Sequence, residues 1–294
     1  MGARYDELKR REAAHWGAVA HDPDNPQIWD DPVLQEIFFG AEERRFLARA
    51  RALGPRVLEL GCGEGDLAIE LARTGLEVVA VDLSPERIDA ARAQAAVSGV
   101  GGPPRFAVAD LNVDPLPAGP FDGVVAHDAL HHVLELDTLL ARVEQALRPD
   151  GRLLVLDFAG MDPMPRALAA ALVAALPTHM PYRRKWARRG RLGAFLATER
   201  EKRAALERGT GGALHDASPF EGISQESILP AIARRFEIVE QRRFLPFFWY
   251  LAPKLRLGGA RHAIARWFRA WDDGLSRARL ARGAYFVVEA RRRG

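Results

Sequence analysis

Val57-Leu58-Glu59-Leu60-Gly61-Cys62-Gly63-Glu64-Gly65 decides how the rest of the chain is read. A short β-prone run ends on three alternating glycines, with an acid two residues before the first. Glycines after a first strand allow a tight turn and close approach of backbone to a ligand. Such a ligand lies over the carboxyl ends of the strands, where an open sheet reverses its strand order. A dinucleotide fold wants G-x-G-x-x-G to cradle a pyrophosphate. Here the spacing is G-x-G-x-G, and a carboxylate at Glu59 suits a cationic amine better than a phosphate. Cys62 reads as a small residue lining the loop, since no thiolate-stabilising pattern surrounds it.

Working outward, Arg56–Leu60 is the first of five short apolar strands. The others are Glu77–Val81, Arg105–Ala109, Phe121–Ala126 and Arg152–Phe158. Helical patterns at Asp66–Arg73, Pro85–Val97 and Leu134–Leu147 separate most of them. This alternation predicts a parallel sheet covered on both faces. After Phe158 it stops. Residues 160–219 read as helices and loops without a strand. Ser224–Ala233 then reads as a helix, Phe236–Glu240 as a strand and Ala284–Ala290 as a last strand. The stretch 241–283 is too long for a tight hairpin. Residues 1–53 read as helical, broken near Pro23 and Pro26.

The glycine segment together with four later ones resembles the class I S-adenosylmethionine-dependent methyltransferases of the small-molecule type. The later segments are Val81-Asp82-Leu83-Ser84, Ala109-Asp110-Leu111, Phe121–His127 and Leu147–Leu153. Five ordered matches cover about residues 55–158. The resemblance implies an α/β, Rossmann-like, doubly wound sheet, seven-stranded and mostly parallel with an antiparallel last strand, plus helical cap insertions. The expected division is 1–53 as an N-terminal helical lid, 54–158 as the cofactor-binding core and 159–223 as a helical cap insertion. Residues 224–294 complete the sheet and carry a second insertion at 241–283. The cofactor is expected to be S-adenosylmethionine. Its site is expected to comprise Glu59, Gly61, Cys62, Gly63, Gly65, Asp82, Leu83, Ala109, Asp110, Leu111 and His127. In the family Asp82 binds the ribose hydroxyls, as a bidentate acceptor can, and Asp110 accepts from the adenine amino group.

Methyl transfer from a sulfonium needs positioning above all. A hydroxyl acceptor must also lose a proton, a task for a histidine of near-neutral pKa. His127-Asp128-Ala129-Leu130-His131-His132 lies where the fourth strand ends. His131, His127 and His132 are the candidate bases, in that order. His127 and His131 also have a metal-like spacing, but apart from Asp128 no convincing third ligand stands nearby, so no metal is expected. Amino-directed DNA methyltransferases resemble one another in an Asn/Asp-Pro-Pro-Tyr motif here, which this chain lacks, so a nucleic-acid partner is not expected.

The 294 residues are 48% hydrophobic and 28% charged, which excludes a disordered chain, and one cysteine excludes an internal disulfide. Met1–Arg11 is no secretory signal and no apolar run approaches the ~20 residues of a spanning helix, so the default location is cytoplasmic. Charge is uneven: residues 241–294 hold thirteen Lys+Arg and three Asp+Glu, a balance of +10 in a chain of net +3. Acceptor specificity is expected to come from the additions. Pro165–Leu176 is almost wholly apolar and should be buried against a partner or cover a pocket. The aromatic run Phe244–Tyr250 either lines an apolar acceptor pocket or plugs a core. Arg183, Arg184, Lys185, Arg188, Arg189 and Arg191 are either a solvated face or an attraction for an anionic acceptor or lipid surface. His215 is a further residue that could face the acceptor. The expected function is methylation of a hydroxyl, less so an amine, of an apolar small molecule in specialised metabolism. Methylation of a lipid, quinone or lipid-linked glycan, with peripheral membrane contact, is one alternative. A non-catalytic S-adenosylmethionine-binding protein is another.

Overall fold

The strand β1 (Arg56–Leu60) sits between β2 (Glu77–Asp82) and β4 (Phe121–His127), parallel to both, and the sheet is built outward from it. The computed structural model describes residues 2–17, 24–102, 104–187, 195–208 and 218–293. Seven strands run in the order β3-β2-β1-β4-β5-β7-β6. Here β3 is Arg105–Val108, β5 Leu147–Phe158, β6 Phe236–Phe244 and β7 Tyr285–Arg292. β7 runs antiparallel to both β5 and β6. This is the doubly wound sheet with a reversed last strand that the sequence implied.

Period-two alternation along the strands supplies two cores, one on each face. Val57, Val78, Ala80, Val125, Leu154 and Leu156 belong to one. Leu58, Leu60, Val79, Val81, Val124, Ala126, Leu153 and Val155 belong to the other. Helices cover both faces. They are α1 (Ala3–Gly17), α2 (Pro32–Phe38), α3 (Gly40–Arg51), α4 (Asp66–Ala72), α5 (Pro85–Val97), α6 (Leu136–Ala146), α7 (Pro163–Ala175), α8 (Tyr182–Ala187), α9 (Glu199–Arg208), α10 (Ile228–Arg235), α11 (Phe248–Leu251) and α12 (Arg261–Arg277). Ser84 begins α5: its hydroxyl accepts from Arg87 N at 3.3 Å, and Pro85 occupies the first turn.

Several boundaries move for physical reasons. β5 begins at Leu147 rather than Arg152, with a register shift opposite Phe121 and Gly123 that accommodates Pro149-Asp150-Gly151. α10 begins at Ile228 rather than Ser224, because Glu199 of α9 accepts from the N–H groups of Glu226 (2.8 Å) and Ser227 (3.0 Å). β6 continues to Phe244, so the second addition starts at Leu245. Residues 160–219 contain no strand among those described, but an isolated bridge joins Thr178 to Leu255 of the second addition.

The two apolar stretches differ in fate. α7 buries Pro165, Arg166, Ala169 and Ala170 while Met164 and Leu168 stay exposed. The aromatic run is largely core: Phe244, Leu245 and Phe247 are buried, and Phe248, Trp249 and Tyr250 pack against that core. Below it the buried Asp272 of α12 accepts from the N–H groups of Phe247 (3.1 Å), Phe248 (3.0 Å) and Trp249 (3.4 Å), closing the start of α11. No described helix is long and apolar enough to cross a membrane.

Candidate active site

The loop after β1 is fixed by its neighbour strand: Gly61 N and Cys62 N both donate to Val81 O, at 2.8 and 3.0 Å. Gly61 takes φ +72° and Gly65 φ +87°. A Cβ on Gly61 would lie 2.4 Å from Ala129 Cβ, and one on Gly65 2.9 Å from the Phe106 ring. Both positions therefore demand glycine for conformation and for space. Asp82, at the end of β2, accepts from Gly63 N (2.8 Å) and Ser84 N (2.9 Å), one bond per oxygen. Each oxygen keeps a second lone pair for a hydroxyl, so Asp82 shapes the loop and still has acceptor capacity.

Glu59 is 2% exposed, and its Oε2 has no hydrogen-bond partner among the described residues. Burial, then the charges of Asp82 and Asp66, push its carboxyl up to about 8. A buried, unpartnered carboxyl oxygen beside a glycine loop fits a cationic amine. Cys62 is buried, and burial followed by the neighbouring Glu59 charge raises its thiol far above the usual range, which makes it inert.

Asp110 follows β3 and is buried, with one oxygen accepting from Asn112 N at 2.9 Å. The other oxygen receives the Tyr5 hydroxyl at 2.7 Å and lies 3.1 Å from Lys9 Nζ, both from α1. An adenine amino group reaching Asp110 has to share it with these two residues. Ala109 is buried, and Leu83 and Leu111 are partly exposed beside it.

At the other end of the loop the chain makes a histidine–carboxyl cluster. β4 stops at His127; Asp128 takes φ +49°, in the left-handed region, and its Oδ1 is buried without a hydrogen-bond partner. A single turn, Leu130–His132, follows. Asp157 of β5 holds that turn. Its Oδ2 accepts from Ala129 N (3.2 Å) and Leu130 N (2.7 Å), and its Oδ1 meets His131 Nδ1 at 2.5 Å. Burial alone would lower the pKa of His131. The charge and hydrogen bond of Asp157 outweigh it, and the net shift is upward. His132 Nδ1 lies 2.9 Å from Glu12 of α1. Glu12 in turn receives Ser218 Oγ (2.9 Å), Phe220 N (3.0 Å) and Trp16 Nε1 (2.8 Å), and the His132 partnership holds its carboxyl below the ordinary value despite burial. Glu221 faces both rings, 3.8 Å from His131 Nε2 and 3.6 Å from His132 Nε2.

The structure thus brings His131 and His132 together, with ring centroids 4.1 Å apart. His127 stands apart from that pair: its ring lies against Phe46 at 5.6 Å, and burial lowers its pKa. Asp157, Glu12, Glu221 and Tyr5 were not singled out from the sequence. Asp157 had a signal, as an acid inside the apolar run Leu153–Phe158; the others are joined to the site only by the fold. Two triplets, His131-His132-Glu221 and Asp128-His131-Asp157, have ligand-type atoms within 4.8 Å of one another. Every contact in them is also one that an acid–histidine network makes by itself, and we assign no ion to them. In the basic segment, Arg184 pairs with Asp24, and Lys185 donates to the carbonyls of Val173 (2.8 Å) and Leu176 (2.6 Å) at the end of α7. Arg188, Arg189, Arg191 and His215 lie outside the described residues.

The fold and loop define a class I methyltransferase architecture, and comparison with known proteins agrees. Residues 58–155 match the family described as a methyltransferase domain. The ubiquinone biosynthesis O-methyltransferase of Xanthomonas axonopodis pv. citri (strain 306) is 36% identical over 129 residues, 44% of this chain and 52% of that one. O-methyltransferase cnsE of Penicillium expansum is 31% identical over 183 residues, 60% of this chain and 64% of that one. The alignments thus span about half to two thirds of the curated relatives' length. The solved structure of the [4+2]-cyclase SpnF superposes with TM-score 0.51 at 20% identity, covering 99% of this chain and 95% of that one, a likeness of fold. Residues 58–155 thus match a methyltransferase domain, and S-adenosylmethionine is the cofactor that the resemblance implies. The loop, the unpartnered Glu59 oxygen and the spare acceptor capacity of Asp82 fit that cofactor.

Proposed function

We propose that this protein transfers a methyl group from S-adenosylmethionine to a hydroxyl of an apolar small molecule, with His131 as the general base. The observation that carries this reading is the His131–Asp157 pair beside the glycine loop. Asp157 engages Nδ1 and so orients the ring, leaving Nε2 as the atom that takes the proton from the acceptor oxygen. Bound in the loop, S-adenosylmethionine would supply an electrophilic methyl on a cationic sulfur that is a good leaving group. Glu59 and Asp82 hold the cationic and hydroxyl-bearing ends of the cofactor. His132 and Glu12 tie the turn to α1, which supports the reading of 1–53 as a lid over a core at 54–158. Residues 159–223 and 245–283 then serve as acceptor-side cap and second addition.

The relatives named O-methyltransferases support oxygen as the acceptor atom, and the one named for ubiquinone biosynthesis supports a hydroxyl on an apolar ring. The ring path Phe158–Trp249 leads from His131 into the second addition and favours a second reading, a lipid or quinone acceptor. A cytoplasmic location is proposed with either. The fold alone does not dictate methyl transfer, and its neighbour is called a cyclase. Incubation with methyl-labelled S-adenosylmethionine and a panel of phenols, catechols and hydroquinones, read by mass spectrometry, tests the proposal. An O-methylated product lost in His131→Ala is the expected result. Cofactor binding with no turnover across the panel would overturn it and favour a non-catalytic binder.

A further inference from the structure

We propose that the outer face of α12 and the turn after it dock on an anionic lipid bilayer. The aromatic run Phe244–Tyr250 cannot provide such a surface, because most of it is core. α12 places other aromatics outside. Trp267 is 57% exposed, Trp271 50% and Leu280 71%. The two tryptophan rings lie 5.4 Å apart, and with Ala270, Gly274, Leu275 and Leu280 they line one shallow apolar depression. Positions 267, 271 and 275 are spaced by four, so they share one face of the helix. Half-exposed tryptophans are amphipathic groups suited to the headgroup boundary.

The charge around this face is mostly positive, Asp273 on α12 and Glu36 beside Arg266 being the acids near it. Between residues 256 and 282 the exposed charged residues are Arg256, Arg266, Arg277, Arg279 and Arg282. Of the two acids of α12, Asp272 is buried, closing the start of α11, and Asp273, its side chain 41% exposed, is paired with Arg269 at 3.1 Å. An apolar stripe with tryptophans, rimmed by more arginines than carboxylates, complements an anionic bilayer and matches the composition of interfacial helices. A second copy of the chain would bring the same cations against one another, which disfavours self-association through this face.

The face also has a structural path to the candidate active site. Trp267 lies 5.9 Å from Phe268, which stacks on Phe248 at 4.6 Å. Phe248 precedes Trp249 in α11; Trp249 lies 5.9 Å from Phe158, and Phe158 6.3 Å from His131. Membrane docking stands independently of the acceptor's identity. Delivery of a membrane-dissolved acceptor along this path rests additionally on the methyl-transfer reading.

Co-sedimentation with vesicles of phosphatidylcholine alone, or mixed with phosphatidylglycerol, tests the docking. We expect association with the mixed vesicles only, weakened by salt, with a blue shift of tryptophan fluorescence. Trp267→Ser/Trp271→Ser should reduce binding at least tenfold while S-adenosylmethionine titration stays unchanged. Arg277→Glu/Arg279→Glu gives the same readout without altering apolar groups, should the first variant fold poorly. No association with either vesicle, or association unchanged in both variants, overturns the proposal. So does a dimer of the wild type, seen by light scattering and lost in the tryptophan variant, since the face would then serve a second copy. Failure of methyl transfer leaves the sedimentation result unaffected.

Discussion

Gly61 and His131 both stand close to Ala129, and each is held by identifiable constraints. For Gly61 the constraint is space and backbone. A left-handed non-glycine residue costs about 1–3 kcal/mol, and the added Cβ would also meet Ala129 at 2.4 Å. Gly61→Ala should therefore lower the thermal midpoint and abolish cofactor binding, read by a melt and a titration. For His131 the constraint is Asp157. Removing a positioned base slows proton-coupled transfer by about 10²–10⁴-fold, so His131→Ala should lose that much kcat while still binding cofactor. The base works as the neutral imidazole. Its folded pKa is raised, so kcat/KM should fall as pH drops through a value above the ordinary ~6.5. Asp157→Asn removes the cause of the rise and should move that inflection downward, where burial takes it. A pH–rate profile of the two proteins checks both directions.

The elements show why part of the site was legible in the sequence. Strands β1, β2, β4 and β5 bury both faces, so they appear as near-continuous apolar runs, and motif residues stand at or near the strand ends. Glu59 and Gly61 stood out in the glycine segment itself, and Asp82 and Asp110 were placed through the family resemblance. Partners that arrive from distant elements left no such trace: Glu12 and Tyr5 from α1, Glu221 from the turn before α10. The aromatic run had two open readings, and Asp272, twenty-three to twenty-five residues further on, decides for core by accepting three of its N–H groups. Leaving a buried N–H unpaired costs about 1–3 kcal/mol. Asp272→Ala should thus destabilise the protein by at least about 2 kcal/mol, a fall in Tm of about 4–8 °C in a domain of this size. Activity should survive below that temperature. An unchanged melt would show that Asp272 is not the support of α11.

Across the whole molecule the two signs of charge separate by task. In the proposed function, acids of the cofactor loop and the histidine cluster serve a cationic ligand and a proton-accepting histidine; the basic C-terminal part holds the second addition and the exposed arginines of α12. The most direct test of the central claim is the charge chemistry of Glu59. With its carboxyl raised to about 8, Glu59 is mostly protonated at pH 7 in the ligand-free protein. A cation placed beside it lowers that pKa, so binding must release a proton, and affinity must strengthen as pH rises towards 8. Calorimetric titration of S-adenosylmethionine at pH 7, in buffers of different ionisation enthalpy, measures this. The account predicts one site per chain with net proton release on binding, and loss of that release in Glu59→Gln. No binding by the wild type, or binding whose heat is the same in every buffer, would contradict it.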